Sequence, residues 1–318
     1  MKVIDHINNS KKTMFSFEIL PPLKGKDINL IYEVIDPLME FNPKYVNITY
    51  HREEVVYKRH KTGLLEKKTV HKRPGTVAIA AAIKYKYNDV NVVPHIICGG
   101  FSKEETENAL IDLHFLGIRN LLVLRGDPLS ADKEFMPEQN GHSHAIELIN
   151  QIQNLNKGVY LDEELENTTK MDFSFGVAGY PEKHFESPNI ETDLKYLKDK
   201  IKAGAGYIVT QMFFDNKKYF DFVDLCREND INVPIIPGLK PISIQKHLTI
   251  LPSTFSIDIP KALSNELVKC KNNDAVRQVG VEWAIEQSKE LIAKNAPAVH
   301  YYTMGKADNI YKIAKAVF

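Results

Sequence analysis

The chain has 318 residues, 43% hydrophobic and 26% charged, a composition that indicates a globular protein and excludes disorder as its main state. Lys plus Arg and Asp plus Glu both number 41, so no net charge is available to attract nucleic acid or an anionic membrane. The chain has no apolar run of bilayer length and no signal-peptide core at its start, which predicts a cytoplasmic protein with its three cysteines reduced.

Strand signals recur along the chain as short segments rich in β-branched and aromatic residues, bounded by Gly, Pro, Asn or Asp. In chain order the eight segments are MFSFEIL (14–20), YVNITY (45–50), NVVPHIIC (91–98), NLLVLRG (120–126), DFSFGVAGY (172–180), YIVTQMFF (207–214), VPIIPGL (233–239) and VHYYTM (299–304). Helix-like stretches lie between most of them, and one carries a capping-box pattern at Ser102 and Glu105.

Strands that alternate with helices indicate parallel βα units, and eight such units predict one α/β domain over residues 1–318, a (β/α)8 TIM barrel. A doubly wound sheet is the competing fold. It would normally carry a GxGxxG turn after its first strand, and the chain has ILPPLKGK there. The barrel is therefore the preferred prediction.

Two charged segments are predicted to be solvated loops. Residues 51–74 follow the second strand and are strongly basic, whereas residues 156–171 are acidic. The basic segment could attract an anionic dinucleotide if it folds over the mouth of the barrel.

In a TIM barrel the chemistry lies at the carboxyl ends of the strands, so polar residues there are candidates for a site. In FSFEIL, side-chain alternation places Phe15, Phe17 and Ile19 on one face and Ser16 and Glu18 on the other. The strand ends supply Glu18, Asn47, Thr49, His95, Arg125, Asp127, Tyr180, Gln211, Tyr302 and Thr303.

Two other site chemistries remain as alternatives. A metal-dependent hydrolase could use Glu18, His95, Asp127 and His184, and the pair His142 and His144 has a ligand-like spacing. That pair falls at the start of a helix, however, and is expected to be exposed on the surface, so no metal is predicted. Nucleophilic catalysis is not supported because the chain has no GxSxG elbow.

FSFEILPP, YVNITY, VPHIIC, LLVLRGDP, VAGYPEKH, AGAGYIVTQMFFD and PIIPGLKPI, in this order, resemble the strand-end motifs of 5,10-methylenetetrahydrofolate reductases of the bacterial single-domain type. The resemblance runs from about residue 14 to the end of the chain. It implies a barrel with non-covalent FAD that reduces methylenetetrahydrofolate with NADH or NADPH in a ping-pong sequence and supplies methyl groups for methionine synthesis.

The resemblance also implies roles for individual residues. Glu18 would be the general acid that opens the methylene bridge, with Thr49 holding it directly or through a water, and Asp127 would stabilise the cationic folate. Gln211, with Met304 and Lys306 of YYTMGKA, would lie on the substrate side. The flavin contacts carried over are His95, Arg125, Gly126, Asp127, Ala178, Tyr180, His184, Asp193 and Lys200.

The expected partners are the folate and the nicotinamide, and a homo-oligomer is expected by the same resemblance. No C-terminal regulatory domain, nucleic-acid contact or membrane contact is expected. A barrel that binds pterins without turnover is the non-enzyme alternative.

Overall fold

The computed structural model describes residues 1–129 and 134–318. The strands are β1 (Met14–Ile19), β2 (Tyr45–Ile48), β3 (Glu54–Arg59), β4 (Leu65–Val70), β5 (Asn91–Ile97), β6 (Asn120–Leu124), β7 (Ser174–Gly179), β8 (Tyr207–Thr210), β9 (Ile235–Ile236), β10 (Gly238–Leu239) and β11 (Ala298–Tyr302). The helices are α1 (Val3–Asn9), α2 (Asn29–Leu38), α3 (Thr76–Lys86), α4 (Lys103–Phe115), α5 (Ala145–Lys157), α6 (Ile190–Lys202), α7 (Asn216–Glu228), α8 (His247–Phe255), α9 (Lys261–Lys269), α10 (Asn273–Ala293) and α11 (Asp308–Val317).

Nine of these strands form one parallel sheet in the order β10-β11-β1-β2-β5-β6-β7-β8-β9. Its two edges, β9 and β10, are consecutive pieces of residues 235–239 that Pro237 separates, because proline has no N–H for the ladder. β9 pairs with β8, β10 pairs with β11, and the Pro237 carbonyl accepts a hydrogen bond of 2.9 Å from His300 N. The sheet therefore closes on itself, and the predicted (β/α)8 barrel is confirmed.

Two apolar layers stabilise the barrel, as strand alternation requires. Phe15, Phe17 and Ile19 of β1 are buried in the layer between the sheet and the surrounding helices. The interior of the barrel is filled from its amino-terminal end by side chains such as Tyr45 and Tyr207, together with Val3 of α1. α1 is anchored there by a hydrogen bond of 2.8 Å from Val3 N to Asn120 Oδ1. The interior of the barrel is thus packed at its amino-terminal end.

The prediction of a solvated loop at residues 51–74 was wrong, because β3 and β4 form an antiparallel hairpin with Glu54 opposite Val70. Gly63, with φ +86°, lies in its turn, and His60 N donates to Leu64 O. The β-branched residues of this segment favour strands, but its many charged residues led to the prediction of a loop. Helix α3, in the Ala-rich run that follows, was not predicted as an element either. The acidic segment does lack regular structure, from residue 158 to residue 171.

Among the helices of the described ranges, none has the length and apolar character needed to cross a membrane.

Candidate functional site

A cavity of about 500 Å³ opens at the carboxyl ends of the barrel strands. This principal cavity lies where the parallel topology places the βα loops, so residues distant in sequence line it together. Of the predicted site residues, the cavity brings together Glu18, Thr49, His95, Arg125, Gly126, Asp127, Ala178, Tyr180, His184, Gln211 and Met304. Three others, Asp193, Lys200 and Lys306, are not part of its lining.

Glu18 lies between two imidazole rings inside the mouth of the barrel. Its Oε2 is 3.7 Å from Nε2 of His95 and 3.7 Å from Nε2 of His300. Both histidines are buried, and burial lowers the pKa of His95 to about 4, although the charge of Glu18 acts in the opposite direction. His95 is therefore a neutral imidazole near pH 7.

Polar side chains contact both histidines and help to set their orientation. Ser16 Oγ lies 2.9 Å from Nδ1 of His300, and Asn47 Nδ2 lies 3.4 Å from Nε2 of His95. His300 was not among the predicted site residues. Its signal was present in the sequence, because it precedes Tyr302 by two residues and so shares that residue's face of the strand.

Thr49 does not hold Glu18 directly. Its hydroxyl donates to the Ile19 carbonyl at 3.1 Å, so the predicted direct contact is replaced by a bond between neighbouring strand ends. Thr303 acts in the same way, since its hydroxyl donates to the backbone carbonyl of Glu18 at 2.7 Å. These two bonds fix the backbone that presents the Glu18 carboxylate.

The turn after β6 positions Arg125 and Asp127. Gly126 adopts φ +89°, a conformation that disfavours any residue with a Cβ, and a Cβ there would lie 3.1 Å from Ile97 Cδ1. The Arg125 carbonyl accepts hydrogen bonds from Cys98 N and Gly99 N at 3.0 and 3.2 Å. This backbone arrangement directs the two charged side chains into the principal cavity.

The Arg125 guanidinium forms a two-pronged ion pair with Glu186, at 2.5 Å (Nη1–Oε2) and 2.8 Å (Nη2–Oε1). Hydrogen bonding to Arg125 lowers the pKa of Glu186, so the pair is charged near pH 7. The Phe135 ring lies 4.9 Å from the Arg125 guanidinium carbon. Glu186 and Phe135 were both missed from the sequence, because only tertiary folding brings them to Arg125.

The segment after β7 is held by Asp193. Its carboxylate accepts hydrogen bonds from His184 N at 3.0 Å and from Ser187 Oγ at 3.2 Å. Tyr180 and His184 pack edge to face with ring centroids 4.6 Å apart. Burial lowers the pKa of Lys200, and Asp193 partly opposes that effect. Asp193 thus supports the cavity wall without lining the cavity, and Lys200 does not line it either.

Two of the three predicted substrate-side residues line the cavity, and the third lies outside it. Gln211 lines the cavity, and its Oε1 accepts a hydrogen bond from Met212 N at 2.9 Å. Met304 lines the cavity at its exposed rim, with φ +50°. Lys306 is exposed outside it.

No cluster of three or more His, Cys, Asp or Glu side chains suited to a metal ion occurs in the part of the chain that the structure describes. The expectation that His142 is exposed was wrong: the side chain is buried, and its Nε2 lies 2.6 Å from Gln151 Oε1. His144 is exposed, so the two imidazoles do not share an environment.

Comparison with known proteins gives a consistent result. The sequence profile of the methylenetetrahydrofolate reductase family matches residues 2–317. The chain is 32% identical over 317 residues to "Methylenetetrahydrofolate reductase (NADH) 1" of Arabidopsis thaliana, a match that covers 96% of this chain and 48% of that protein. It is 29% identical to "5,10-methylenetetrahydrofolate reductase" of Buchnera aphidicola, with 97% of this chain and 92% of that protein covered.

The chain spans about half the length of the first curated relatives that it matches. Among solved structures, an uncharacterized protein from Clostridium thermocellum that binds two copies of 5-methyl-5,6,7,8-tetrahydrofolic acid superposes with a TM-score of 0.59. The identity is 17%, and the match covers 98% of this chain and 96% of that one. At this identity the likeness shows a common fold.

Proposed function

Because this chain belongs to the methylenetetrahydrofolate reductase family, we propose that it is a flavoenzyme that reduces 5,10-methylenetetrahydrofolate to 5-methyltetrahydrofolate with NADH or NADPH. The single observation that carries the proposal is the placement of Glu18, Asp127 and Gln211 around one cavity at the mouth of the barrel. The methyl group made in this way would serve methionine synthesis.

The residues around the cavity fit non-covalent FAD. Aliphatic side chains at the ends of neighbouring strands form an apolar wall suited to a flat ring system: Ile97, Leu122, Leu124, Ala178 and Val209. Arg125 lines the cavity and supplies positive charge for a diphosphate. When bound, FAD would accept hydride from the nicotinamide and transfer it to the folate, so the two substrates would use the site in turn.

Glu18 is the proposed general acid. Opening the methylene bridge leaves a negative charge on the departing nitrogen unless a proton reaches it, and a positioned carboxylic acid can deliver that proton. Both histidines beside Glu18 are buried, and the neutral His95 ring places no fixed positive charge next to the carboxyl group. Ser16 contacts the His300 ring, which lies beside the Glu18 carboxyl group.

Asp127 is proposed to stabilise the cationic folate that forms when the bridge opens. Asp127→Asn is expected to slow folate reduction by roughly tenfold or more, because a fixed negative charge near the developing cation is removed. The same change is expected to raise the flavin reduction potential and ease reduction by the nicotinamide. Both half-reactions and the potential can be measured anaerobically, with exposed Asp112→Asn as the control. An unchanged potential and an unchanged folate rate would contradict this role.

The Arg125–Glu186 ion pair predicts an effect on cofactor binding. A diphosphate must share the Arg125 fork with the Glu186 carboxylate or displace it, so Glu186→Gln is expected to lower the FAD dissociation constant by roughly threefold to tenfold. Titration of flavin-stripped protein with FAD, followed by flavin fluorescence, measures this constant. Asp230→Asn, which breaks an exposed ion pair with Lys198, is the matched control. Weaker binding in Glu186→Gln would mean instead that Glu186 orients Arg125 for the cofactor.

The proposed function is tested by a visible spectrum of the purified protein, supplied with FAD if needed, before and after anaerobic addition of NADH or NADPH and then methylenetetrahydrofolate. A flavin spectrum that bleaches with nicotinamide and returns with the folate is expected. A protein that binds the folate but never reoxidises would be a pterin-binding barrel. A protein that takes up no flavin would contradict the proposal and favour the metal-dependent hydrolase.

A further inference from the structure

A second cavity of about 330 Å³ lies between the base of the β3–β4 hairpin and the start of α3. It shares Tyr50 and His95 with the principal cavity, so the two spaces are neighbours separated by these side chains. None of the roles proposed above uses this second cavity.

Two basic side chains, Lys24 and Arg73, line the second cavity together with the His71 ring. No Asp or Glu lines it among the residues that the structure describes. One Arg73 Nη donates to the Pro21 carbonyl, which fixes the side chain across the base of the hairpin. Burial lowers the pKa of Arg73, so its charge lies in a partly desolvated position where an anion is attracted more strongly than in water.

The amino terminus of α3 faces the same space. Its N-cap residue Gly75 has no side chain to satisfy the first N–H groups of this 11-residue helix. Thr76, the first residue of the helix, lines the cavity. A ligand oxygen placed there would accept hydrogen bonds from the free N–H groups of the helix terminus.

The remaining wall is aromatic and apolar. Tyr50 and Phe101 lie with ring centroids 4.9 Å apart, and Val77 and Ile96 complete this side. A cationic pocket beside an aromatic wall suits a ligand that combines a planar base with a phosphate.

We propose that the second cavity binds the phosphorylated nucleoside half of the nicotinamide reductant, with a phosphate monoester held by Lys24, Arg73 and the α3 terminus. A monoester carries about −1.5 to −2 charges at pH 7, which matches Lys24 and Arg73, two cations that line the cavity and form no ion pair with a carboxylate of residues 1–129 or 134–318. A free ribose 2′-hydroxyl carries no charge and would leave both cations unpaired. The reductant selected is therefore the 2′-phosphorylated dinucleotide, NADPH. This inference rests on the proposed function only in taking the ligand to be the reductant.

Calorimetric titration of the flavin-loaded protein with 2′,5′-ADP and, separately, with 5′-AMP tests the site without turnover. We expect 2′,5′-ADP to bind at least tenfold more tightly and NADPH to displace it. Lys24→Gln and Arg73→Gln are each expected to weaken 2′,5′-ADP roughly tenfold, and 5′-AMP little, because one charge-assisted contact is lost. The same variants should raise KM for NADPH while leaving kcat and the NADH reaction unchanged.

Lys58→Gln, an exposed lysine of the same hairpin, is the control that separates a specific contact from general loss of positive charge. Lys24 is exposed, so its variant tests the site even if Arg73→Gln disturbs the hairpin. Equal binding of the two nucleotides, or no change in either variant, would overturn the proposal. Binding of 2′,5′-ADP that NADPH cannot displace would assign the cavity to a free nucleotide and also overturn it. A wild-type flavin that no nicotinamide reduces would instead contradict the proposed function, whatever the calorimetry shows.

Discussion

Glu18→Gln is expected to abolish folate reduction while sparing the nicotinamide half-reaction. Glutamine keeps the size of the side chain between His95 and His300 but cannot release an acidic proton, so the loss isolates proton delivery. General acid catalysis typically contributes roughly 10²–10⁴-fold, and a decrease of that order is expected in the rate of flavin reoxidation by methylenetetrahydrofolate. Anaerobic stopped-flow absorbance measures each half-reaction separately.

Glu33→Gln, on the exposed face of α2, controls for the general loss of a carboxylate and should leave both half-reactions unchanged. FAD content and reduction by NAD(P)H should equal those of the wild type in Glu18→Gln. Loss of both half-reactions would show that Glu18 supports the architecture of the site instead of delivering a proton.

Lys240→Met is expected to stabilise the protein near pH 7. Lys240 directly follows β10 and is only 8% exposed, and burial lowers its pKa from 10.5 to about 8, with no nearby carboxylate contributing. The lysine is charged in both the folded and unfolded states below pH 8, so the cost of burying the charge is fully present there. That cost corresponds to roughly 3 kcal/mol, which methionine would remove at similar volume.

The contribution of Lys240 to the free energy of unfolding is expected to depend on pH. Between pH 8 and 10.5 the unfolded chain binds the proton more tightly than the folded protein does, so Lys240 makes the free energy of unfolding rise with pH in that window. Urea unfolding of Lys240→Met should show higher stability at pH 7 and a smaller rise above pH 8. The exposed neighbour Lys246→Met should match the wild type. A less stable Lys240→Met variant, or an unchanged pH dependence, would mean that the ammonium is stabilised by contacts with its surroundings.

The strand-end residues show how far side-chain alternation carries a prediction. Glu18, His95, Asp127 and Gln211 were selected because parallel strands share one carboxyl end, and the structure places all four in one cavity. Their chemical roles came only from the resemblance, and they remain proposals. Thr49 shows the limit of the method, because the correct strand end did not reveal that its hydroxyl bonds to Ile19.

Side-chain alternation could not predict the site residues that lie on loops. Glu186 reaches Arg125 from a segment after another strand, and Phe135 approaches it from a different loop. Neither position carries a periodic signal, since loop side chains follow no fixed alternation. The β3–β4 hairpin was not predicted for a different reason. Its many charged residues indicated a solvated loop, although the segment also contains β-branched residues.

The sequence by itself determined the eight strand segments of the barrel, the barrel fold and most of the residues that face its mouth, because side-chain alternation is local and is read over a few neighbouring residues. The tertiary structure alone decided what those residues contact: His300 beside Glu18 from the opposite end of the chain, the closure at Pro237, and a cationic cavity beneath the hairpin. Such contacts depend on burial and on the closing of the sheet, which join segments far apart in the chain, and no local pattern specifies them.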